Sequence, residues 1–135
     1  MDEEVFIDAN IFLEIFLDDS KAEDCKEILR SMCENKKQAV TTDFLIYSCI
    51  LILYSNLKET KFIRNAIIFF NFYNNLRIVR PSFDDMYDVA EVMEKNKLDF
   101  NDSLVVSCMK NNGIKKIVSL DKHFDRVNGV ERIKP

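Results

Sequence analysis

Short apolar runs alternate along this chain with longer segments whose apolar residues recur at helical spacing. Four runs, at residues 5–7, 39–41, 77–79 and 116–119, are candidate strands, and residues 130–133 are a candidate fifth strand at the edge. Strands that are separated by helices pair in parallel and are buried on both faces. Gly and Pro number only two each, which argues against a turn-rich sandwich or barrel. The sequence therefore predicts an α/β fold with a mainly parallel four- to five-stranded sheet.

Length, charge and residue usage narrow the class of protein. The 135 residues contain no repeat, low-complexity tract or linker, so we expect a single domain over residues 1–135. The net charge of −4 does not favour a protein that coats nucleic acid electrostatically, although acidic metal ligands would themselves add negative charge. The four cysteines form no C-x-x-C pair and the chain has one histidine, so no structural zinc site is expected. Without a recognisable signal peptide or membrane span, we expect a cytoplasmic protein.

Three aspartates fall where the predicted elements meet. Asp8 directly follows the first strand, Asp102 stands near a helix start, and Asp121 follows the fourth strand. Open parallel sheets bind ligands at the carboxyl ends of their strands, so we expect these side chains to converge. Converging carboxylates repel one another unless a cation lies between them, and hard oxygen ligands suit Mg²⁺ or Mn²⁺. Each aspartate alone is more typical of a cap or a turn, but together they predict a metal site that acts on a phosphodiester.

Three segments resemble sequence motifs of the PIN domain family. Residues 6–12 (FIDANIF) are similar to its opening motif, residues 98–104 (LDFNDSL) to its third, and residues 119–124 (SLDKHF) to its fourth. The chain is similar to the VapC group, the toxin nucleases of type II toxin–antitoxin pairs. This resemblance implies a PIN-like three-layer α/β/α sandwich and an endoribonuclease that depends on Mg²⁺ or Mn²⁺. It also implies an RNA substrate and a partner antitoxin.

The same resemblance implies roles for individual residues. Asp8, Asp102 and Asp121 would be the catalytic residues and the metal ligands. Asn10 and Ser119 would orient these carboxylates or the bound water. All five residues lie within the first, third and fourth motifs.

The second motif departs from the family pattern. The family usually carries a glutamate in the helix after the second strand, and Ser48 occupies that position here. A serine hydroxyl brings no charge, so we expect weaker metal binding and reduced or lost activity. Asp43 lies more than one helical turn earlier and is interpreted as a cap or near-cap. Asp99 lies three residues before Asp102 and is expected to shape the turn, to contact the site through water or to compensate for the missing acid.

Basic residues beside the fourth motif are candidates for substrate contacts. Lys122 and Arg126 are predicted to bind backbone phosphates of the RNA. His123 could touch a phosphate or carry a proton, but a lone histidine in a loop is more typical of a surface residue. We therefore leave His123 outside the predicted site.

Apolar helices are candidates either for the core or for a partner surface. Residues 62–73 are rich in Phe, and residues 46, 50 and 53 form an apolar stripe at helical spacing. Such stripes are more often core than interface. Where they are exposed, we expect them to bind a second copy of the chain or the antitoxin, and we predict a homodimer.

Two other functions stay open. The serine at position 48 is compatible with a degenerate PIN domain that binds RNA or a protein partner without cutting. A phosphatase or phospho-receiver is a second alternative. The first strand ends Asp-Ala-Asn, however, so the second aspartate of the usual phosphatase pair is absent. Asp18, Asp19 and Lys122 do not fall at the strand ends that a receiver requires.

Overall fold

The computed structural model describes residues 3–135 as a parallel sheet between layers of helices. The elements in chain order are β1 (Glu4–Ile7), α1 (Ala9–Leu17), α2 (Ala22–Glu34), β2 (Gln38–Thr42), α3 (Asp43–Leu57), α4 (Thr60–Phe72), β3 (Leu76–Val79), α5 (Phe83–Met86), α6 (Val89–Asn96), α7 (Phe100–Asn111), β4 (Lys116–Val118), a 3₁₀ helix (Lys122–Arg126) and β5 (Glu131–Ile133). The strand order is β3-β2-β1-β4-β5. Every neighbouring pair within this sheet is parallel. The predicted fold class is confirmed, with five strands.

Alternate strand residues supply two hydrophobic clusters, one on each face of the sheet. On one face, Val5, Ile7 and Val118 pack with residues of α1 to α4. On the other face, Phe6 and Ile117 pack with residues of α6, α7 and the 3₁₀ helix. Because both faces are covered, the strands consist of nearly continuous apolar runs, as the sequence indicated. The central strands β1 and β4 therefore hold the chain at Asp8 and Ser119 in fixed positions.

Met86, Val89, Ala90 and Met93 have helical spacing and predict one helix over residues 84–95, but the structure has two helices there. Ser82 caps α5 through reciprocal hydrogen bonds with Asp85, and this short helix ends at Met86. The second helix, α6, begins at Val89, which is buried against α7. The prediction was wrong because apolar residues keep helical spacing across the break, and periodicity alone cannot detect it.

Helices α3 and α4 contribute both to the core and to an apolar surface. Leu53 is 1% exposed and Phe70 is 8% exposed, so much of the predicted stripe is core. Other apolar side chains of the two helices face outward, and we call them the α3–α4 apolar surface: Tyr47, Leu51, Tyr54, Ile67, Ile68 and Phe72. A groove of about 640 Å³ lies between these helices and the edge strand β3. Among residues 3–135, no helix is long and apolar enough to cross a membrane.

Candidate metal centre

Asp8 is a buried carboxylate fixed at the carboxyl end of the central strand. Its backbone N–H donates to the carbonyl of Val118 at 3.0 Å, which continues the pairing of β1 with β4. Its Oδ1 caps α1 by accepting the N–H of Ala9 at 2.8 Å. Its Oδ2 accepts the hydroxyl of Ser119 at 2.7 Å. With 6% exposure and three partners, the side chain has little freedom to move.

Asn10 and Ser119 connect the ends of β1 and β4. The amide of Asn10 donates to Oδ2 of Asp8 at 3.2 Å, and its carbonyl oxygen accepts the N–H of Leu120 at 3.3 Å. The hydroxyl oxygen of Ser119 accepts the N–H of Asp121 at 3.0 Å while its proton goes to Asp8. One buried serine therefore sets the relative position of Asp8 and Asp121.

Asp99 caps α7, and Asp102 lies in the first turn of that helix. The helix begins at Phe100, and Oδ1 of Asp99 accepts the N–H of Asp102 at 2.8 Å. The sequence predicts that this helix begins at Asn101 or Asp102; the helix begins earlier because the carboxylate of Asp99 is the one that reaches the free N–H. The expectation that Asp99 shapes the turn agrees with this contact. The partly buried carboxylate of Asp102 lies near that of Asp121, with one donor atom of each within 4.8 Å of the other.

Asp121 caps the 3₁₀ helix and holds His123 beside it. Its Oδ1 accepts the N–H of His123 at 2.9 Å, and Nδ1 of the imidazole lies 3.0 Å from the same oxygen. Among residues 3–135, the group of acidic, Cys and His side chains placed to share one ion consists of Asp102, Asp121 and His123. One donor atom from each lies within 4.8 Å of the others. Asp8 does not belong to this group, and its carboxylate is hydrogen-bonded to the hydroxyl of Ser119.

Burial and crowding disfavour the charged forms of two carboxylates. Burial, followed by the charges of Asp99, Asp8 and Asp121, raises the pKa of Asp102 to about 7. Burial also raises the pKa of Asp8, although the hydrogen bonds from Ser119 and Ala9 oppose that rise. A cation among these side chains would remove the repulsion that a proton otherwise relieves. Carboxylate oxygens with one imidazole nitrogen are a donor set that fits a divalent metal ion.

Ser48 occupies the helix that follows β2. It is half-buried in α3, one turn after Phe44. Phe44 packs against the cluster that contains Leu104 of α7, so this face of α3 is directed towards the helix that carries Asp102. The serine hydroxyl is a neutral donor and acceptor, and it adds no charge to the centre.

The predicted phosphate-binding residues both lie on the 3₁₀ helix that Asp121 caps. Lys122 is exposed on the 3₁₀ helix, directly after Asp121. Arg126 is exposed at the end of the same helix, and its guanidinium donates to the carbonyl of Lys97 at 3.2 Å. Lys97 precedes α7 by three residues, so Arg126 ties the end of the 3₁₀ helix to the segment that leads into α7.

The fold and the centre together define a class of protein. A parallel α/β sheet with acidic side chains at its strand ends is typical of domains that bind a metal ion between carboxylates. A model of the PIN domain family matches residues 5–130. The chain therefore belongs to the PIN domain family, as its motifs indicated. A search among curated proteins finds no significant match.

Solved structures of toxins and toxin–antitoxin complexes share this fold. VapC20 of Mycobacterium tuberculosis, described as a sarcin–ricin loop cleaving toxin, is 15% identical with a TM-score of 0.77, over 97% of this chain and 99% of that one. VapBC2 of Rickettsia felis, bound to a promoter DNA fragment, is 15% identical with a TM-score of 0.71, over 97% and 98%. A toxin–antitoxin complex of Klebsiella pneumoniae is 15% identical with a TM-score of 0.69, over 94% and 95%. At this identity the likeness concerns the fold.

His123 is the residue that sequence reasoning left outside the site. The structure places its ring against Asp121 because both belong to one short turn, closed by the capping carboxylate. The signal in the sequence was that the histidine follows the aspartate two positions later. That spacing becomes informative only once Asp121 is known to cap the 3₁₀ helix, because the capping carboxylate reaches the N–H of the residue that carries the imidazole.

Proposed function

We propose that this protein is a metal-dependent endoribonuclease that hydrolyses phosphodiester bonds of RNA. The observation that carries the proposal is the meeting of Asp102 and Asp121 at the carboxyl edge of a PIN-family sheet, with donor atoms within 4.8 Å. The raised pKa of Asp102 supports it, because a charge-relieving cation would fit there. Clusters of perturbed carboxylates are characteristic of functional sites.

In this proposal each side chain of the centre has a defined task. Asp102 and Asp121 would hold Mg²⁺ or Mn²⁺, with Asp8 as a further ligand or as a nearby negative charge. A bound divalent cation supplies charge neutralisation at the scissile phosphate and acidifies the attacking water. Asn10 and Ser119 keep the carboxylates oriented through the hydrogen bonds described above.

The basic side chains of the 3₁₀ helix would bind the RNA substrate. Lys122 and Arg126 are exposed cations on the helix that Asp121 caps, so they can contact phosphates next to the scissile bond. Such contacts position the RNA backbone without reading its sequence. The RNA preference would therefore come from the shape of the surface around the centre.

We infer further that the protein is the toxin of a toxin–antitoxin pair that acts in the cytoplasm. Support comes from the fold shared with a toxin that cleaves the sarcin–ricin loop and with two toxin–antitoxin complexes. An antitoxin would hold the nuclease inactive until it is removed. Co-expression of a neighbouring open reading frame that restores growth of cells producing this chain would test the pairing.

A second copy of the chain is the partner that we propose for the α3–α4 apolar surface. Leu51 and Phe72 are each 71% exposed, and large exposed apolar side chains of this kind are typical of homodimer interfaces. Light scattering on the purified protein should give the mass of a dimer, and Leu51→Glu should give the monomer. A monomeric parent protein would refute this part of the proposal.

A second candidate function is a PIN domain that binds RNA or a protein without cutting it. Ser48 favours this candidate, because it removes a carboxylate that the family usually has. Under this alternative, the purified chain binds RNA but leaves it intact, and Ser48→Glu gains cleavage.

Cleavage of a mixed RNA pool with Mn²⁺ separates the two candidates. Asp102→Asn tests the centre, and Asp24→Asn is the matched control, because Asp24 is an exposed aspartate in the first turn of α2. The proposal predicts cleavage by the parent and the control, and at least about 100-fold less by Asp102→Asn, which corresponds to roughly 3 kcal/mol. Equal cleavage by all three proteins would indicate a contaminating nuclease and refute the proposal.

A further inference from the structure

His123 is held at the metal centre by two independent features of the 3₁₀ helix. Its N–H and its Nδ1 both lie at about hydrogen-bond distance from Oδ1 of Asp121, at 2.9 and 3.0 Å. The next residue, Phe124, is fully buried in the core and anchors the turn. The imidazole is exposed to solvent. The backbone that carries it is nevertheless fixed next to the centre by these contacts.

The chemistry of the three converging donors differs from that of a purely acidic site. Two are carboxylate oxygens, from Asp102 and Asp121, and the third is an imidazole nitrogen. A neutral imidazole suits first-row transition metals, whereas Mg²⁺ prefers oxygen ligands and retains its waters. Separations of up to 4.8 Å are slightly larger than those between donors of one ion, so small side-chain rotations would close the site.

We propose that His123 is a protein ligand of the divalent cation and makes the centre favour Mn²⁺ and similar transition metals over Mg²⁺. The proposal deepens the nuclease function proposed above and rests on it. It supplies a third donor beside Asp102 and Asp121 in a chain where Ser48 replaces an acidic residue. It also explains why a histidine stands two residues after a capping aspartate, with its ring turned towards that carboxylate.

Two variants distinguish a metal ligand from a residue that only stabilises the 3₁₀ turn. His123→Gln keeps a polar side chain but removes the nitrogen ligand, and we expect Mn²⁺ affinity to fall about 10-fold or more with little change for Mg²⁺. His123→Asp replaces the nitrogen with an oxygen ligand, and we expect it to reverse the preference towards Mg²⁺. A purely structural role would change unfolding of the metal-free protein and leave the ratio of the two affinities unaltered.

Pulsed electron paramagnetic resonance of bound Mn²⁺ gives a readout that does not depend on activity. The chain has a single histidine, so in protein without an affinity tag any imidazole nitrogen coupled to the ion belongs to His123. We expect nitrogen modulation in the parent, a changed pattern after ¹⁵N-histidine labelling, and loss of the modulation in His123→Gln. Binding of Mn²⁺ that is lost in Asp102→Asn but shows no coupled nitrogen would overturn this inference and leave the nuclease proposal intact. A parent protein that binds no Mn²⁺ would overturn both.

Discussion

Replacing Asp102 with Asn should stabilise the metal-free protein at neutral and alkaline pH. The carboxyl of Asp102 is partly buried and faces the charges of Asp99, Asp8 and Asp121, which together raise its pKa from 3.8 to about 7. The folded state therefore binds this proton more tightly than the unfolded state does. The penalty for ionising Asp102 is absent below about pH 3.8, grows as pH rises towards 7, and is complete above that value.

The size of this stabilisation follows from the shift in the pKa of Asp102. A rise of about 3 pKa units corresponds to roughly 4 kcal/mol at 1.36 kcal/mol per unit. The Asp102 side chain is partly exposed, so solvent screens part of this energy, and we expect a gain of about 1–2 kcal/mol in Asp102→Asn. For a chain of this length, that gain raises Tm by roughly 3–8 °C.

Unfolding by urea and by heat, at pH 8 and at pH 4, measures the effect. EDTA keeps the protein metal-free, and Asp24→Asn controls for the loss of one exposed negative charge. We expect Asp102→Asn to be more stable than the parent at pH 8 and nearly equal to it at pH 4. We expect Asp24→Asn to show no gain in stability at either pH. Adding Mn²⁺ at pH 8 should then stabilise the parent and leave Asp102→Asn unchanged. An Asp102→Asn protein that is less stable than the parent at pH 8 with EDTA would refute the reasoning, because burial and repulsion would then not outweigh the favourable contacts of the carboxylate.

Two substitutions and one thiol titration test other parts of the centre and the core. Ser48→Glu adds a carboxylate at the family's usual position and should tighten Mn²⁺ binding, which calorimetry measures. Unchanged or weaker Mn²⁺ binding would show that the side chain at position 48 does not face the ion. Ser119→Ala removes the charge-assisted hydrogen bond to Asp8 and should cost about 1.5–3 kcal/mol in urea unfolding; a cost near zero would show that water replaces the hydroxyl. Ellman's reagent should titrate one thiol, Cys33, in the folded protein and all four after unfolding, because the other three are buried and burial raises their pKa to between about 11 and 12. A fast reaction that persists in Cys33→Ser would contradict this assignment.

The sheet could be predicted from the sequence because strands that are buried on both faces appear as short, nearly continuous apolar runs. Strands β1 and β4 are short apolar runs, and each is followed within three residues by a polar side chain of the centre. The parallel order of strands then brings Asp8 and Asp121 to one edge. Predicting that Asp8 and Asp121 share an edge needed only the rule that every strand of the sheet runs in the same direction.

Helix boundaries and helix faces depended on details that the sequence does not determine. Asp99 and Asp102 are both plausible caps, and only the three-dimensional path of the loop decides which one reaches the N–H. Helix α3 is apolar on nearly every side, so its periodicity cannot tell that Leu53 is buried while Leu51 is exposed. The position of His123 depended likewise on the 3₁₀ turn rather than on its neighbours in sequence.

The most direct test of the central claim is RNA cleavage with Mn²⁺ in water enriched in ¹⁸O, followed by mass spectrometry of the product ends. Hydrolysis at a metal centre uses solvent water, so we predict one ¹⁸O atom in each newly formed terminal phosphate, with cleavage lost in Asp102→Asn and with EDTA. Products that end in a 2′,3′-cyclic phosphate without ¹⁸O, or equal cleavage by Asp102→Asn, would contradict the assignment of this cluster as a hydrolytic metal centre.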